Sequence, residues 1–198
     1  HRHLPLCLSV LLLIAFRVIG AAYPMALPNF QPLAALFFCG ALIAPAWRGF
    51  TLPLGIWILT FPLGSGHPDG PSLFLTTLAA LTLTFFLGKW LSKKGWASML
   101  LGSVAATLVF HLITNSAAWL ADPRYAKSLV GLWQSLWTGA PGDVLPSWVF
   151  LRNLGVANLI FTGAHLLAML RAPQVYPSLA APQAAKSTEK FPPDPPHD

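Results

Sequence analysis

Polar side chains recur at helical intervals inside apolar sequence in two stretches of this chain, and these are the places where chemistry is possible. In residues 103–122, SVAATLVFHLITNSAAWLAD, the groups Ser103, Thr107, His111, Thr114 and Asn115 follow one another by steps of one to four. Those steps put them on one stripe of a helix. In residues 152–165, Arg152 and Asn153 are followed by Asn158, Thr162 and His165. An unsatisfied polar group in hydrocarbon is costly, so each stripe must face other helices or a wet cavity. Solute binding and the fastening of one helix to another both meet that demand.

Two more places put polar groups where they are expensive. Arg17 stands near the end of the first apolar run, where it can serve as an interface anchor or as a fixed fork for a carboxylate or phosphate. The segment PNFQP, residues 28–32, has Asn29 and Gln31 between two prolines. Extended backbone there would turn both side chains to one side, whereas a helix start would use Asn29 as its cap.

Several chemistries are excluded as expectations. No apolar run contains a carboxylate, so there is no acidic pair for general acid and base work and no proton relay. No phosphate-binding glycine loop, H-E-x-x-H or G-x-S-x-G pattern occurs. His111 and His165 fall in opposite halves of the expected bundle, so paired metal or haem ligation is not expected, and neither a metal nor a cofactor is called for. As an enzyme the chain would have to rely on His111, which has no orienting carboxylate nearby in sequence.

The elements that must hold these groups follow from composition. Of 198 residues 55% are apolar and 9% charged, far from the balance of soluble domains. An all-α, polytopic membrane helix bundle is expected, with apolar runs at about 4–22, 31–47, 50–65, 72–91, 97–120 and 148–170. The second and third are short and carry Gly40, Pro45, Pro53, Gly55 and Pro62 in or near them, which predicts kinked or discontinuous helices. The apolar run after His1, Arg2 and His3 continues past Arg17 with no small-x-small cleavage site, and is read as a retained first helix. Cys7 and Cys39 are expected to be reduced, buried small hydrophobes.

The net charge of +6 is carried mostly by short loops, so it sets topology and does not point to nucleic acid. Arg2, Arg48, Lys89, Lys93, Lys94, Arg171, Lys186 and Lys190 alternate to one side, which makes both termini cytoplasmic. Asp69 in HPDG and the loop 122–146 then lie on the other side. Trp47, Trp90 and Trp96 fall at inner helix ends, and Trp119 and Trp148 at outer ends, as interface anchors do. Within the long loop, SLVGLWQSLW spaces Leu129, Leu132, Trp133, Leu136 and Trp137 as a short amphipathic helix, either a lid or an interfacial connector. A transmembrane domain of residues 1–172 is followed by a Pro-rich tail, 173–198, with no fold of its own.

The segments RVIGAAYPMALPNFQPLAALFFCGALI, HLITNSAAWLADPRYAKSLVGLW, and GAP followed by RNLGVANLIFTG resemble a family of uncharacterised bacterial six-helix membrane proteins labelled as transport proteins. In form that family looks like the substrate-binding S components of energy-coupling-factor vitamin importers. The similarity covers about residues 14–168. It implies an inner-membrane solute-binding protein working with separate coupling and ATPase subunits, and it carries over Arg17, Asn29, Thr114, Asn115, Trp119, Tyr125, Arg152 and Asn153. One departure stands out: the family pattern leads one to expect Gly-Asp-Leu where this chain has Ala157, Asn158 and Leu159.

The expected substrate-binding set is therefore Arg17, Asn29, Gln31, His111, Thr114, Asn115, Trp119, Tyr125, Arg152, Asn153 and Asn158, with Arg17 and Asn115 level in one cavity. A membrane scaffold, in which the same groups are interhelical contacts, is the alternative.

Overall fold

A computed structural model describes residues 4–23, 25, 28–43, 47–64 and 71–170. They form seven α-helices and, among the described residues, no strand: α1 Leu4–Ala22, α2 Leu33–Ile43, α3 Arg48–Gly64, α4 Pro71–Leu91, α5 Trp96–Ala121, α6 Leu129–Trp137 and α7 Ser147–Leu170. The six apolar runs become α1 to α5 and α7, and α6 is the helix expected in the long loop. The tail from 173 onward and the HPDG turn lie outside the described residues.

Three helices are long and apolar enough to cross a membrane, Leu73–Leu91, Trp96–Ala121 and Ser147–Leu170; Cys7–Ala22, Leu33–Leu42 and Arg48–Phe61 are shorter apolar helices. The second run, expected to be short and kinked or discontinuous, is short in the structure. It contributes only the 11 residues of α2, about 16 Å at the helical rise, against a hydrocarbon core of roughly 30 Å.

Pro32 sets where α2 begins. Its carbonyl accepts the first helical bond, from Leu36 N at 2.7 Å, but its side chain has no acceptor to offer the orphan N–H groups of the first turn. Asn29 does not cap the helix. It precedes Leu33 by four residues and adopts φ 59°, the left-handed region and not an extended strand.

α2 has apolar residues on every side, LAALFFCGALI, and a helix of that kind belongs in a core. Leu33 to Cys39 are all at most 4% exposed, and the helix packs against α1, α3, α4, α5 and α7. Two glycines permit the closest approaches. A Cβ at Gly40 would stand 2.1 Å from the Gly49 carbonyl oxygen of α3, and one at Gly88 of α4 would stand 2.0 Å from the Phe38 carbonyl oxygen. The first contact has a second cause in Pro53. α3 runs unbroken through it, yet Pro53 lacks the N–H that would bond Gly49 O, so that carbonyl is left to face α2.

Around α2 the core divides into patches. Phe37, Trp57, Leu81 and Phe85 pack between α2, α3 and α4; Phe38, Cys39, Met99 and Met169 between α2, α5 and α7; Leu13, Leu36, Ala157 and Phe161 between α1, α2 and α7. Cys39 is buried as expected, but Cys7 is exposed, on an α1 face shared with exposed Leu4, Leu8 and Leu11. An apolar outward face of that kind is what a lipid-facing helix presents. Trp47, Trp90 and Trp96 are all exposed at one end of the bundle, where Lys94 lies 3.4 Å over the Trp90 ring.

Candidate functional site

The polar stripe of α5 does face inward: Ser103, Thr107 and His111 are buried, and Thr114 and Asn115 are half-buried. Its hydroxyls are first satisfied locally, Ser103 donating to Leu100 O, Thr107 to Ser103 O and Thr114 to Phe110 O. Such bonds to the preceding turn are the cheapest partners a helix offers.

The stripe of α7 is tied into the bundle at successive heights. Asn158, 1% exposed, accepts from Ala35 N at 2.9 Å and donates to Thr107 Oγ1 at 2.7 Å. It supplies from α7 the cap that Pro32 cannot give α2. Farther along, Thr162 lies 4.0 Å from Cys39 Sγ, and the His165 ring nitrogen Nδ1 lies 3.1 Å from Ser9 Oγ.

Hydrogen bonds sort the remaining candidates into two groups at the end of the bundle that carries α6. The first joins α1, the segment 28–32 and α7. Arg17, 5% exposed, donates from Nη1 to Gln31 Oε1; Gln31 Nε2 donates to Asn29 Oδ1 at 3.0 Å. Asn153 Nδ2 donates to Pro28 O at 2.8 Å, and its oxygen accepts from exposed Arg152, whose guanidinium lies 5.2 Å over the Trp148 ring. The buried Arg17 Nε has no partner.

The second group joins α5 to the long loop. His111 Nε2 lies 2.9 Å from Leu136 O, and Asn115 Nδ2 is 3.0 Å from His111 Nδ1 and 2.9 Å from His111 O. Trp119 Nε1 donates to Ala126 O at 2.8 Å, and Lys127 donates to the carbonyls of Trp119 and Asp122. Tyr125 is buried in the same loop, and that burial raises its phenol above the ordinary value.

Arg17 and Asn115 stand at different heights. α1 and α7 run antiparallel, with Ser9 against His165 and Phe16 against Phe161, so Arg17 is roughly level with Asn158. α5 and α7 are also antiparallel: Leu100 faces Gly163, and Thr107 faces Gly155 and Asn158. Asn115 is eight residues beyond Thr107, about 12 Å farther toward the α6 end. His111 and His165 are likewise apart, His111 on α5 bonded to Leu136 of α6 and His165 on α7 bonded to Ser9 of α1. Among the described residues no cluster of metal-ligating side chains occurs.

Sequence inspection missed the feature that organises the loop. Arg124 bridges Asp122 at the end of α5 and Asp143 ahead of α7, both at 2.7 Å, and Asp143 also accepts from Ala140 N at 2.9 Å. Hydrogen bonds from Arg124 hold the Asp122 carboxyl below its ordinary value. Two acids and one base spread over residues 122–143 were visible as loop charges; only chain closure brings them together. α6 rests on this loop through its small residues Gly131 and Ser135, both buried, while Leu129, Val130, Trp133 and Trp137 point outward. Trp133, Trp137 and Trp148 run in sequence with ring centroids 6.2 and 6.5 Å apart.

Three helices of spanning length, packed with shorter apolar helices around a wholly apolar central one, give the described residues an all-α fold with the hallmarks of a membrane protein. The chain belongs to the family of unknown function DUF6580, whose model matches residues 1–179. Neither the curated proteins nor the solved structures contain a match to it.

Proposed function

We propose that this protein is a solute-binding component of the bacterial inner membrane, crossing it with its six apolar runs, the second of which contains the short α2, and keeping both termini in the cytoplasm. In form it resembles the substrate-binding S components of importers that work with separate coupling and ATPase subunits. The observation that carries the proposal is Arg17. A guanidinium 5% exposed in an apolar bundle, with Gln31 as its partner and Nε unbonded, is costly unless something else completes it. A site for a polar solute between α1, the segment 28–32 and α7 gives that cost a purpose. Equilibrium binding of a broad metabolite panel to the purified protein in nanodiscs tests it. Saturable binding of a member is the expected result, and none across the panel sinks the proposal. Cysteines placed at positions 92 and 144 test the orientation, with external labelling expected at the exposed Val144 position and protection at 92.

A scaffold with no solute is favoured by a different observation: Asn158, Thr107, His111 and Asn115 all find partners inside the protein. Alanine at Asn153 separates the two. A scaffold loses thermal stability, whereas a binding protein stays folded and loses stabilisation by its solute.

A further inference from the structure

The guanidinium of Arg17 has one nitrogen bonded and one buried nitrogen without a partner. Nη1 donates to Gln31, and Nε, fully buried, donates to nothing. Nε and Nη2 form the edge whose two parallel N–H groups match the two oxygens of a carboxylate. We propose that this edge binds the carboxylate of a monoanionic solute with an apolar body. The proposal rests on the solute-binding function argued above and narrows it to one ligand class.

Charge supports a single negative group. Arg17 is the one cation bonded within this cluster's buried part; Arg152 is exposed and engaged with Asn153 and Trp148. The carboxylates among the described residues, Asp122 and Asp143, both bind Arg124 in the loop, so neither neutralises Arg17. One buried cation neutralises one negative charge, while a phosphate ester would bring a second charge into the same apolar surroundings. Shape supports an apolar body. Phe16 adjoins Arg17 in the chain and Phe30 adjoins Gln31; both are only partly buried and pack with Leu13, Leu36 and Phe161. Their rings make a tilted and an edge contact on Phe161, with centroids 5.1 and 6.4 Å away respectively. A carboxylate that reached Arg17 Nε would thus have the partly buried rings of Phe16 and Phe30 beside it.

Gln31 fixes the polarity of the site. Its carbonyl oxygen is held to Arg17 because its amide nitrogen donates to Asn29, and Asn29 is set in place by its left-handed backbone. The side chain therefore orients the guanidinium without neutralising it.

The test uses the full chain in phosphatidylcholine nanodiscs, with labelled benzoate as probe and benzamide and phenyl phosphate as its neutral and dianionic counterparts. Saturable benzoate binding is expected, with benzamide and phenyl phosphate weaker. Arg17→Lys should weaken benzoate about tenfold or more, because the ammonium keeps the charge but not the planar edge. Gln31→Glu should abolish benzoate binding while raising thermal stability, since it supplies an internal carboxylate, and this variant decides the matter should Arg17→Lys not fold. Benzoate binding that survives Gln31→Glu, or phenyl phosphate binding tighter than benzoate, overturns the inference. Failure of benzoate while an uncharged member of the metabolite panel binds overturns the carboxylate class alone. Failure of the whole panel removes solute binding itself.

Discussion

Asn158 on α7 accepts a hydrogen bond from the backbone N–H of Ala35 in the first turn of α2, at 2.9 Å across 123 positions of sequence. A helix preceded by proline, with no side-chain acceptor of its own, thereby receives its cap from the last helix of the bundle. The same amide donates to Thr107 on α5, so one side chain fixes the relative height of three helices.

Replacing Asn158 with Leu should strip both partners and leave a buried N–H and hydroxyl with less to bond. A loss of about 1–3 kcal/mol is expected, measured by thermal or denaturant unfolding in detergent. Asn158→Asp should lose less, because a carboxylate oxygen still caps Ala35 N and favours the helix N-terminus. Equal losses for the two variants would show that the cap contributes little.

Arg17 and Gln31 should respond with opposite signs in the absence of solute. Arg17→Met removes a buried charge that has a neutral partner, and is expected to leave stability unchanged or raise it. Gln31→Leu keeps the charge and removes its partner, and should lower stability by roughly 2 kcal/mol or more. Unfolding midpoints of the two variants, compared side by side, check the sign.

Gly40 and Gly55 make a matched pair. A Cβ at Gly40 meets backbone 2.1 Å away, whereas one at Gly55 meets nothing within 4 Å. Gly40→Ala must push α2 off α3 and should fail to give a well-folded protein. Gly55→Ala should stabilise by about 0.5–1 kcal/mol through helix propensity alone. Gel filtration and unfolding midpoints distinguish these outcomes.

The loop should loosen in acid. The Asp122 carboxyl is held below its ordinary value by hydrogen bonds from Arg124, so its contribution is present above the unfolded value, about 3.9, and is lost as pH falls through the lower folded value. Amide protection in residues 122–146, measured by hydrogen exchange from pH 5 to about pH 2, should drop in that window. Asp122→Asn should show weaker protection at pH 5 and a flatter profile.

The helices with uninterrupted apolar runs, α1, α4, α5 and α7, were legible in sequence because periodicity and length both speak there. The α6 helix was legible too, from its spaced Leu and Trp residues. The shortness of the second run was legible from Gly40 and Pro45, but the enclosure of α2 by five helices was not, because apolar composition reports burial and says nothing of whether lipid or protein does the burying. Within the candidate site, Arg17, Asn29 and Gln31 lie within 14 positions of one another, and the structure joins them. Asn158 was singled out as a polar residue on a stripe, but its role as a cap depends on Ala35, far away in the chain. The Arg124 clamp was hidden for the same reason: ion pairing between loop ends is a product of the fold and leaves no local spacing behind.

The enclosure of α2 bears on how the chain is made. A segment about 16 Å long, surrounded by five other helices, has its apolar side chains buried almost wholly against those helices. It is therefore not an autonomous folding unit. α1, α3 and α4 must hold it as a guest until α5 and α7 arrive, and the cap on Ala35 comes from the last of them. Completion of the innermost helix waits for the most C-terminal one, so a ribosome stalled before α7 leaves the centre of the protein unfinished.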